Sequence, residues 1–349
     1  MSNDLDPAAI PLRRAGRSGL DLPAISLGLW QNFGATTARD AQRSVLLHAV
    51  ERGVVQLDMA NNYGPPPFAA ESFVGDLLRR ELRGRRDELV LTTKAGYHAW
   101  SGPYGEGGSR KYLLASLDRS LASLGVDTVD VFYSHRYDPT TPLTETIGAL
   151  ATAVTSGRAH YVGISSYSAT RTREALAVAR DLGVPLTVHQ PSYSLLNRWV
   201  EQPDASGESV LEVADDAGLG VVAFSPLAQG MLTDKYLDGV PQDSRAATGT
   251  SLRPEYLSEA NLARVRALHE VARARGTTLA RLAIAWVLRE PRVTTVLVGA
   301  RTVDQLDDSL AALDEAPLGA DELAAVEAAL ASVPGEPDVN LWASRSSDL

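Results

Sequence analysis

The segment VVQLDMANNYGPPP, residues 54–67, joins an apolar run to a loop rich in glycine and proline. Val54, Val55 and Leu57 are typical of a buried strand, and Asp58 stands at its end. An ionised carboxylate there is costly unless it meets water or a partner. The segment therefore predicts a strand whose last residue pairs with a group from another part of the chain.

Apolar runs of this kind recur along the chain, and helical patterns lie between them. This alternation indicates repeated βα units and a parallel sheet. Eight runs with about eight helices predict a closed (β/α)8 TIM barrel, and we expect residues 1–349 to form a single domain with a C-terminal helix and tail over 301–349. The runs are AISLGLW (24–30), VVQLDMA (54–60), LVLTTKAG (89–96), VDVFYSHR (129–136), AHYVGISS (159–166), LTVHQPS (186–192), GVVAFSPL (220–227) and TTVLVGA (294–300).

A doubly wound sheet is the alternative α/β architecture. Its dinucleotide-binding form needs the pattern G-x-G-x-x-G after an early strand, and the sequence has no such match. The pattern of elements therefore favours the barrel. Within it, ARDAQRSVLLHAVERG and SRKYLLASLDRSLASLG predict helices that end at glycine.

Composition narrows the function classes. The formal net charge of -10 argues against a general nucleic-acid surface, which needs many cations against phosphates. The absence of cysteine excludes disulfides, thiolate nucleophiles and cysteine-ligated zinc. The N-terminal residues lack the pattern of a secretory signal, and no uncharged run reaches the length of a membrane span. We therefore expect a cytoplasmic protein with neither a membrane nor a nucleic-acid partner.

Two insertions lengthen the segments after the third and seventh predicted strands. The first is the glycine-rich YHAWSGPYGEGGSR, and the second runs from Leu227 to about Tyr256. Loops after the strands of such a barrel form its active face, so extended loops at this C-terminal face predict lid or specificity elements. Ordinary surface loops are the alternative.

Polar residues capable of acid–base chemistry follow three neighbouring predicted strands. Asp58, Lys94 and His135 each stand at a strand end, and Tyr63 lies in the loop after the first of these strands. Each of them alone is compatible with a structural role. Because the ends of adjacent parallel strands lie close together, the four side chains are predicted to converge, with Lys94 as the partner of Asp58.

This constellation suits proton transfer to a carbonyl oxygen. A tyrosine has a pKa of about 10, and a cation at about 4 Å with an effective dielectric constant near 20 contributes roughly 4 kcal/mol. Lys94, held charged by Asp58, is therefore expected to bring the pKa of Tyr63 close to neutral, while His135 orients the carbonyl. Reduction also needs a hydride source. No metal site is expected, because HExxH is absent and the other histidines form no ligand pattern.

The sequence resembles the aldo-keto reductase superfamily over nearly its whole length, through SLGLWQNFG, LDMANNYG, TTKAGY, YSHR, YVGISSYS, HQPSYSLLNR, FSPLAQGMLTDKY and VLVGAR. The Asp, Tyr, Lys and His tetrad of that superfamily falls on Asp58, Tyr63, Lys94 and His135. NNYGPPP, GPYGEGGSRKYLLASLD, QPSYSLLNRWV and the NLW near the C-terminus resemble a bacterial group of L-glyceraldehyde 3-phosphate reductases, relatives of the potassium-channel beta subunits.

The resemblance implies a barrel that binds NADPH in an extended form without a Rossmann domain. By position, Ser165 and Gln190 would hold the nicotinamide carboxamide, Phe224 would lie beside the ring, and Trp30 would line the mouth. Asp58 is a further expected cofactor contact. The remaining implied cofactor contacts are Ser225, Pro226, Leu227, Gln229 and Gly230 at the pyrophosphate, and Lys235, Arg245, Gly299, Arg301, Gln305 and Asp308 at the adenosine end.

The loops after strands seven and eight of such barrels commonly bind phosphate. Lys235, Arg245 and Arg301 are the cations available there, and they favour NADP over NAD because of its extra 2′-phosphate. Two departures from the family pattern leave the adenosine contacts open: Arg301 replaces a small serine of many relatives, and Ser309 replaces an asparagine.

The implied activity is reduction of small aldehydes, such as L-glyceraldehyde 3-phosphate and methylglyoxal, with Trp30, Tyr63 and His135 at the substrate. Two alternatives stay open: a cofactor-loaded binding module like the channel subunits, which tend to carry Asn where this chain has His135, and a Schiff-base aldolase that uses Lys94. A homo-oligomer is also left open. Candidates for the substrate pocket wall are Trp30, Tyr97, Trp100, Arg136, Arg198 and Trp199.

Overall fold

The computed structural model describes residues 10–237, 254–335 and 337, without the side chains of residues 254 and 255. In these residues β1 (Leu12–Arg14) and β2 (Asp21–Pro23) form an antiparallel hairpin, and eight parallel strands close into a barrel. Barrel strands are neighbours in chain order, and the last returns to pair with the first. They are β3 (Ile25–Gly28), β4 (Gln56–Asp58), β5 (Val90–Ala95), β6 (Val129–Ser134), β7 (Ala159–Ser165), β8 (Val188–Gln190), β9 (Gly220–Phe224) and β10 (Val293–Val298).

Helices lie between the barrel strands and cover them, so the predicted (β/α)8 barrel is confirmed. No helix among the described residues is both long and apolar enough to cross a membrane. The helices are α1 (Arg39–Glu51), α2 (Ala69–Arg79), α3 (Arg110–Leu124), α4 (Leu143–Thr155), α5 (Ala169–Asp181), α6 (Val210–Ala217), α7 (Glu259–Arg275), α8 (Leu279–Leu288), α9 (Val303–Leu310) and α10 (Ala320–Ala331).

Local sequence signals set the limits of α3, which follows the glycine-rich insertion. The Ser109 side chain accepts a hydrogen bond from the Tyr112 backbone N–H and caps the start of the helix. Gly125 ends it in the left-handed conformation, with a φ of 71°. The predicted helix with a glycine stop is thus confirmed here, and its start fixes where the insertion rejoins the barrel.

The hairpin lies against the N-terminal ends of the barrel strands, and none of the predicted strands covers it. Arg13 donates to the backbone oxygens of Val293 and Leu288 at 2.9 and 3.0 Å. Ala15 is packed so closely that a Cβ on Gly220 would lie 2.8 Å from its Cα. Ala15 and Leu22 join the apolar cluster inside the barrel, so the hairpin closes this end.

Candidate active site

The predicted tetrad meets at the C-terminal ends of three adjacent barrel strands. Asp58 is the last residue of β4, Lys94 lies near the end of β5, and His135 follows β6. All three are buried, and Lys94 is 0% exposed. Tyr63 reaches them from the loop after β4, whose backbone is fixed by a hydrogen bond from the Tyr63 N–H to the Ala60 oxygen. The structure thus places the four side chains in one cluster.

Lys94 is the centre of this cluster. Its Nζ donates to Asp58 Oδ2 at 2.5 Å, to the backbone oxygen of Met59 at 2.7 Å and to Tyr63 Oη at 3.3 Å. Three acceptors match the three N–H donors of an ammonium group. Burial lowers the pKa of Lys94, and the charge and hydrogen bond of Asp58 act in the opposite direction. The partner that the sequence required for Asp58 is therefore Lys94.

Asp58 is also held by residues of two other barrel strands, the adjacent β5 and the more distant β8. Its Oδ1 accepts hydrogen bonds from Thr92 Oγ1 at 2.7 Å and from Gln190 Nε2 at 3.0 Å. Thr92 and Lys94 are two residues apart on β5 and therefore project to the same inner face. These contacts orient the carboxylate toward Lys94, and Thr92 is a member of the site that the sequence analysis missed.

Aromatic rings form the outer part of the cluster. The Tyr63 and His135 rings meet edge to face with centroids 5.7 Å apart, and Lys94 Nζ lies 4.7 Å from the Tyr63 ring centroid. Tyr97 contacts the other side of His135, with ring centroids 4.7 Å apart. The His135 imidazole therefore contacts both tyrosine rings, Tyr63 and Tyr97.

Burial controls the protonation of this site. Desolvation, followed by the charge of Asp58, raises the pKa of Tyr63 well above its ordinary value, so the prediction that Lys94 brings it close to neutral is wrong. That prediction counted one cation and omitted the loss of water around the phenol. Desolvation, with the charges of Lys94 and Arg136, holds the pKa of His135 well below its usual range. At neutral pH Tyr63 carries its proton and His135 is an uncharged imidazole.

A buried carboxyl group that the sequence did not reveal lies behind this cluster. Glu71 of α2 accepts a hydrogen bond from Thr93 Oγ1 at 2.5 Å, and Thr93 precedes Lys94 on β5. Burial raises the pKa of Glu71 to about 7, although the hydrogen bond from Thr93, the nearby Ser120 hydroxyl and the charge of Lys94 act in the opposite direction. The tetrad is therefore backed by a second ionisable group.

A cleft of about 500 Å³ begins at Asp58 and Tyr63 and extends to α9, while Lys94 and His135 do not line it. Its wall includes fourteen of the predicted cofactor contacts. These are Trp30, Asp58, Gln190, Phe224, Ser225, Pro226, Leu227, Gln229, Gly230, Lys235, Gly299, Arg301, Gln305 and Asp308.

Comparison with known proteins agrees with this geometry. The model of the aldo/keto reductase family matches residues 24–331. The chain belongs to the aldo/keto reductase family. It is 51% identical over 338 residues to an Escherichia coli protein named L-glyceraldehyde 3-phosphate reductase, covering 96% of this chain and 95% of the relative. It is also 36% identical over 328 residues to an Oryza sativa protein named as a probable voltage-gated potassium channel subunit beta, covering 92% and 97% of the two chains.

In this aldo/keto reductase, two predicted cofactor residues do not line the described cleft. Ser165 lies behind the wall, where its Oγ donates to the backbone oxygen of Gln190 at 2.8 Å. Arg245 falls outside the described residues, as does most of the predicted insertion that ends near Tyr256. Asp308 does reach the cleft, but its carboxylate accepts a 2.7 Å hydrogen bond from Arg281 Nε. Ser165 therefore supports Gln190, and Asp308 is already engaged within the fold.

The wall also contains residues that the sequence analysis did not assign to a site. Gly28 ends β3, Leu297 and Val298 end β10, and Thr278 caps the start of α8. A position at the C-terminal end of a predicted strand is the signal that could have indicated the first three. Asn32, Thr233, Asp234, Tyr236, Ala280, Asp304 and Ser309 complete the set.

The predicted substrate-pocket residues divide into two groups. Tyr97 and Arg136 lie beside His135, and Trp30 lines the cleft. Arg198, by contrast, bonds to Glu327 and Glu201. Trp199 donates through Nε1 to the Ser192 backbone oxygen at 2.9 Å, while the Trp100 ring packs against Tyr112 with centroids 4.9 Å apart. Arg198, Trp199 and Trp100 thus contact other residues of the fold, whereas Trp30, Tyr97 and Arg136 lie at the cleft or beside His135.

Proposed function

We propose that this aldo/keto reductase uses NADPH to reduce small aldehydes to alcohols, among them L-glyceraldehyde 3-phosphate and methylglyoxal, with Tyr63 as the proton donor. The observation that carries the proposal is the 3.3 Å contact between Lys94 Nζ and Tyr63 Oη at the inner end of the cleft. The name of the Escherichia coli relative supports the same substrate class.

The protein's own groups supply the acid chemistry. Tyr63 gives its proton to the carbonyl oxygen as that oxygen gains negative charge, and Lys94 stabilises the phenolate that remains. Asp58 compensates the charge of Lys94, and Thr92 and Gln190 hold Asp58 in place. His135 has an Nδ1 without a partner among the described atoms, and its neutral imidazole orients the carbonyl. Solvent returns the proton to Tyr63 after the alcohol leaves.

A bound NADPH would supply the hydride. The cleft fits such a group because its inner end is apolar at Phe224 and offers the amide of Gln190, whereas Lys235 and Arg301 stand farther along its wall. Between these ends, Ser225 and Gln229 adopt left-handed conformations, with φ values of 56° and 60°, which turn the backbone along the cleft. Cations near the adenosine end favour the 2′-phosphate of NADPH over NADH.

Two alternative functions would give different results in the experiment that tests this proposal. A Schiff-base aldolase would need an accessible neutral Lys94 amine, yet this group is fully buried and bonded to Asp58 and Met59. A cofactor-loaded binding module draws support from the names of the channel-subunit relatives. The presence of His135 favours a reductase.

The deciding experiment follows the near-ultraviolet absorbance of NADPH and of NADH with glyceraldehyde 3-phosphate, methylglyoxal and an aromatic aldehyde. We expect steady oxidation of NADPH, with a higher kcat/KM than for NADH. Tight NADPH binding without turnover of any aldehyde would instead establish the binding module. Borohydride treatment in the presence of substrate would label Lys94 covalently only in an aldolase.

A further inference from the structure

Arginines near the mouth of the barrel differ in how firmly the fold holds them. Arg198, in the segment after β8, uses Nη1 for both oxygens of Glu327, at 2.9 and 2.8 Å, and Nε for Glu201, at 2.8 Å. Its guanidinium also lies 5.1 Å from the Trp286 ring centroid. Carboxylates already accept from Nε and Nη1 of Arg198, so it is poorly suited to receive a ligand.

Arg136 has a different environment, because it directly follows His135. Its Nε donates to the Gly96 backbone oxygen at 3.1 Å, which fixes the base of the guanidinium. The guanidinium carbon lies 5.1 Å from the ring centroid of Tyr97, which itself contacts His135. The Tyr97 ring thus contacts both the Arg136 guanidinium and the His135 imidazole, which would face the carbonyl in the proposed reaction.

The counter-ion of Arg136 is weakly held. Arg136 Nη2 lies 3.7 Å from Glu106 Oε2, with no hydrogen bond between them, and the Glu106 side chain is 59% exposed on the glycine-rich insertion. Exposed ion pairs of this kind contribute little. An anion that accepts two parallel N–H bonds from a guanidinium binds it more strongly, so a phosphate group can displace Glu106.

We propose that Arg136 receives the phosphate of a phosphorylated aldehyde, which makes it the residue that selects phosphorylated over unphosphorylated substrates. This inference rests on the proposed function, because the carbonyl of the same substrate would lie between Tyr63 and His135. In such a complex the phosphate approaches the Nη groups beside Tyr97, and Glu106 turns away into solvent. The opposite ends of one short substrate are then held by adjacent residues of the chain.

The test compares kcat/KM for L-glyceraldehyde 3-phosphate and for L-glyceraldehyde in the wild type, Arg136→Gln and the matched control Arg198→Gln. We expect Arg136→Gln to lose about 30- to 100-fold with the phosphorylated substrate, because a charge-assisted pair is removed. Its loss with glyceraldehyde should be much smaller, and both values of Arg198→Gln should stay near those of the wild type. Equal losses with both substrates, or no loss with the phosphorylated one, would overturn the proposal.

Binding provides a measurement that does not depend on turnover. Calorimetric titration with sn-glycerol 3-phosphate, the alcohol formed by reduction of L-glyceraldehyde 3-phosphate, should detect binding to the wild type and to Arg198→Gln but not to Arg136→Gln. Glycerol should bind none of them. Equal affinity of the wild type and Arg136→Gln for sn-glycerol 3-phosphate would contradict the phosphate site. Arg136-dependent binding without reduction of any aldehyde would retain the site and reject the proposed function.

Discussion

The two ends of the barrel bury different kinds of groups: apolar side chains at one end and a charged pair at the other. At the N-terminal end the β1–β2 hairpin buries Ala15 and Leu22, and Arg13 satisfies backbone oxygens of the neighbouring segments. At the C-terminal end Asp58 and Lys94 form an ion pair away from water. Buried apolar groups stabilise a fold directly, whereas a buried ion pair at best repays its desolvation. Burial at the N-terminal end therefore stabilises the fold, whereas the proposed chemistry lies at the C-terminal end.

Residues with a left-handed backbone conformation are also distributed unequally between the two ends of the barrel. In the part of the chain that the structure describes, every non-glycine residue with a positive φ lies in a segment after a barrel strand, on the side of the tetrad. Such conformations cost free energy and persist where the surrounding structure requires them, often at functional sites. These residues are Gln31, Phe68, Ser166, Ser225, Ala228 and Gln229.

A variant that breaks the Asp58–Lys94 ion pair should show the largest combined loss of stability and turnover. Lys94→Met leaves the Asp58 carboxylate buried without its cation, so we expect a loss of about 3 to 5 kcal/mol in the free energy of unfolding. Turnover should fall by at least about 100-fold. Urea denaturation and NADPH oxidation measure the two effects.

The double variant Asp58→Asn/Lys94→Met sharpens this result. It removes both charges, and it should regain most of the lost stability without regaining turnover. Recovery of turnover in the double variant, or wild-type turnover in Lys94→Met, would show that the ion pair is not part of the chemistry.

The apolar end should respond in the opposite way. Leu22→Ala removes a side chain that is 1% exposed in the apolar cluster inside the barrel, and we expect the free energy of unfolding to fall by about 2 to 4 kcal/mol. Turnover per folded molecule should not change. The control is Leu12→Ala on the same hairpin, where the side chain is 57% exposed and the loss should be small. A parallel loss of turnover in Leu22→Ala would show that the two ends are not independent.

The pH dependence of the free energy of unfolding tests how much the burial of Glu71, behind the tetrad, costs. Burial raises its pKa from an ordinary 4.5 to about 7, so the native state holds a proton that the unfolded chain has lost between these values. Stability should therefore decrease as the pH rises from about 4.5 to about 7 and remain reduced above it. Glu71→Gln should raise the free energy of unfolding at about pH 8 by about 2 to 3 kcal/mol and reduce this dependence.

A matched control for this measurement is Glu81→Gln. Glu81 is exposed, and its hydrogen bond from Arg43 holds the pKa of its carboxyl below the usual range, so its replacement should bring no gain at alkaline pH. An equal response of the two variants would mean that the burial of Glu71 is not the cause.

The barrel and the tetrad could be predicted because their signals are local. Apolar runs mark the strands, and Asp58, Lys94 and His135 each stand at the end of one, where parallel topology brings them together. Seven of the eight predicted runs contain a whole barrel strand, and the eighth, 294–300, covers all of β10 except its first residue, Val293. The hairpin was missed because its two strands have three residues each, and their burial depends on contacts with distant strands.

Other parts of the site depend on the whole fold. The pKa of Tyr63 reflects how much protein surrounds the phenol, which a spacing argument omits. The segment TTK at residues 92–94 gives no sign that Thr92 bonds to Asp58 while Thr93 bonds to Glu71 on the opposite face. The direction of Arg198 also depends on Glu327 of α10, far along the chain. Long-range packing sets all three.

The most direct test of the account is Tyr63→Phe, which removes one hydroxyl group from the cluster. Its control is Tyr104→Phe on the glycine-rich insertion, where the ring is 47% exposed. We predict that Tyr63→Phe lowers aldehyde reduction by about 100- to 10,000-fold, the usual contribution of a positioned general acid, while NADPH affinity and Tyr104→Phe turnover stay at wild-type values. Wild-type turnover in Tyr63→Phe would contradict the claim that this phenol donates the proton.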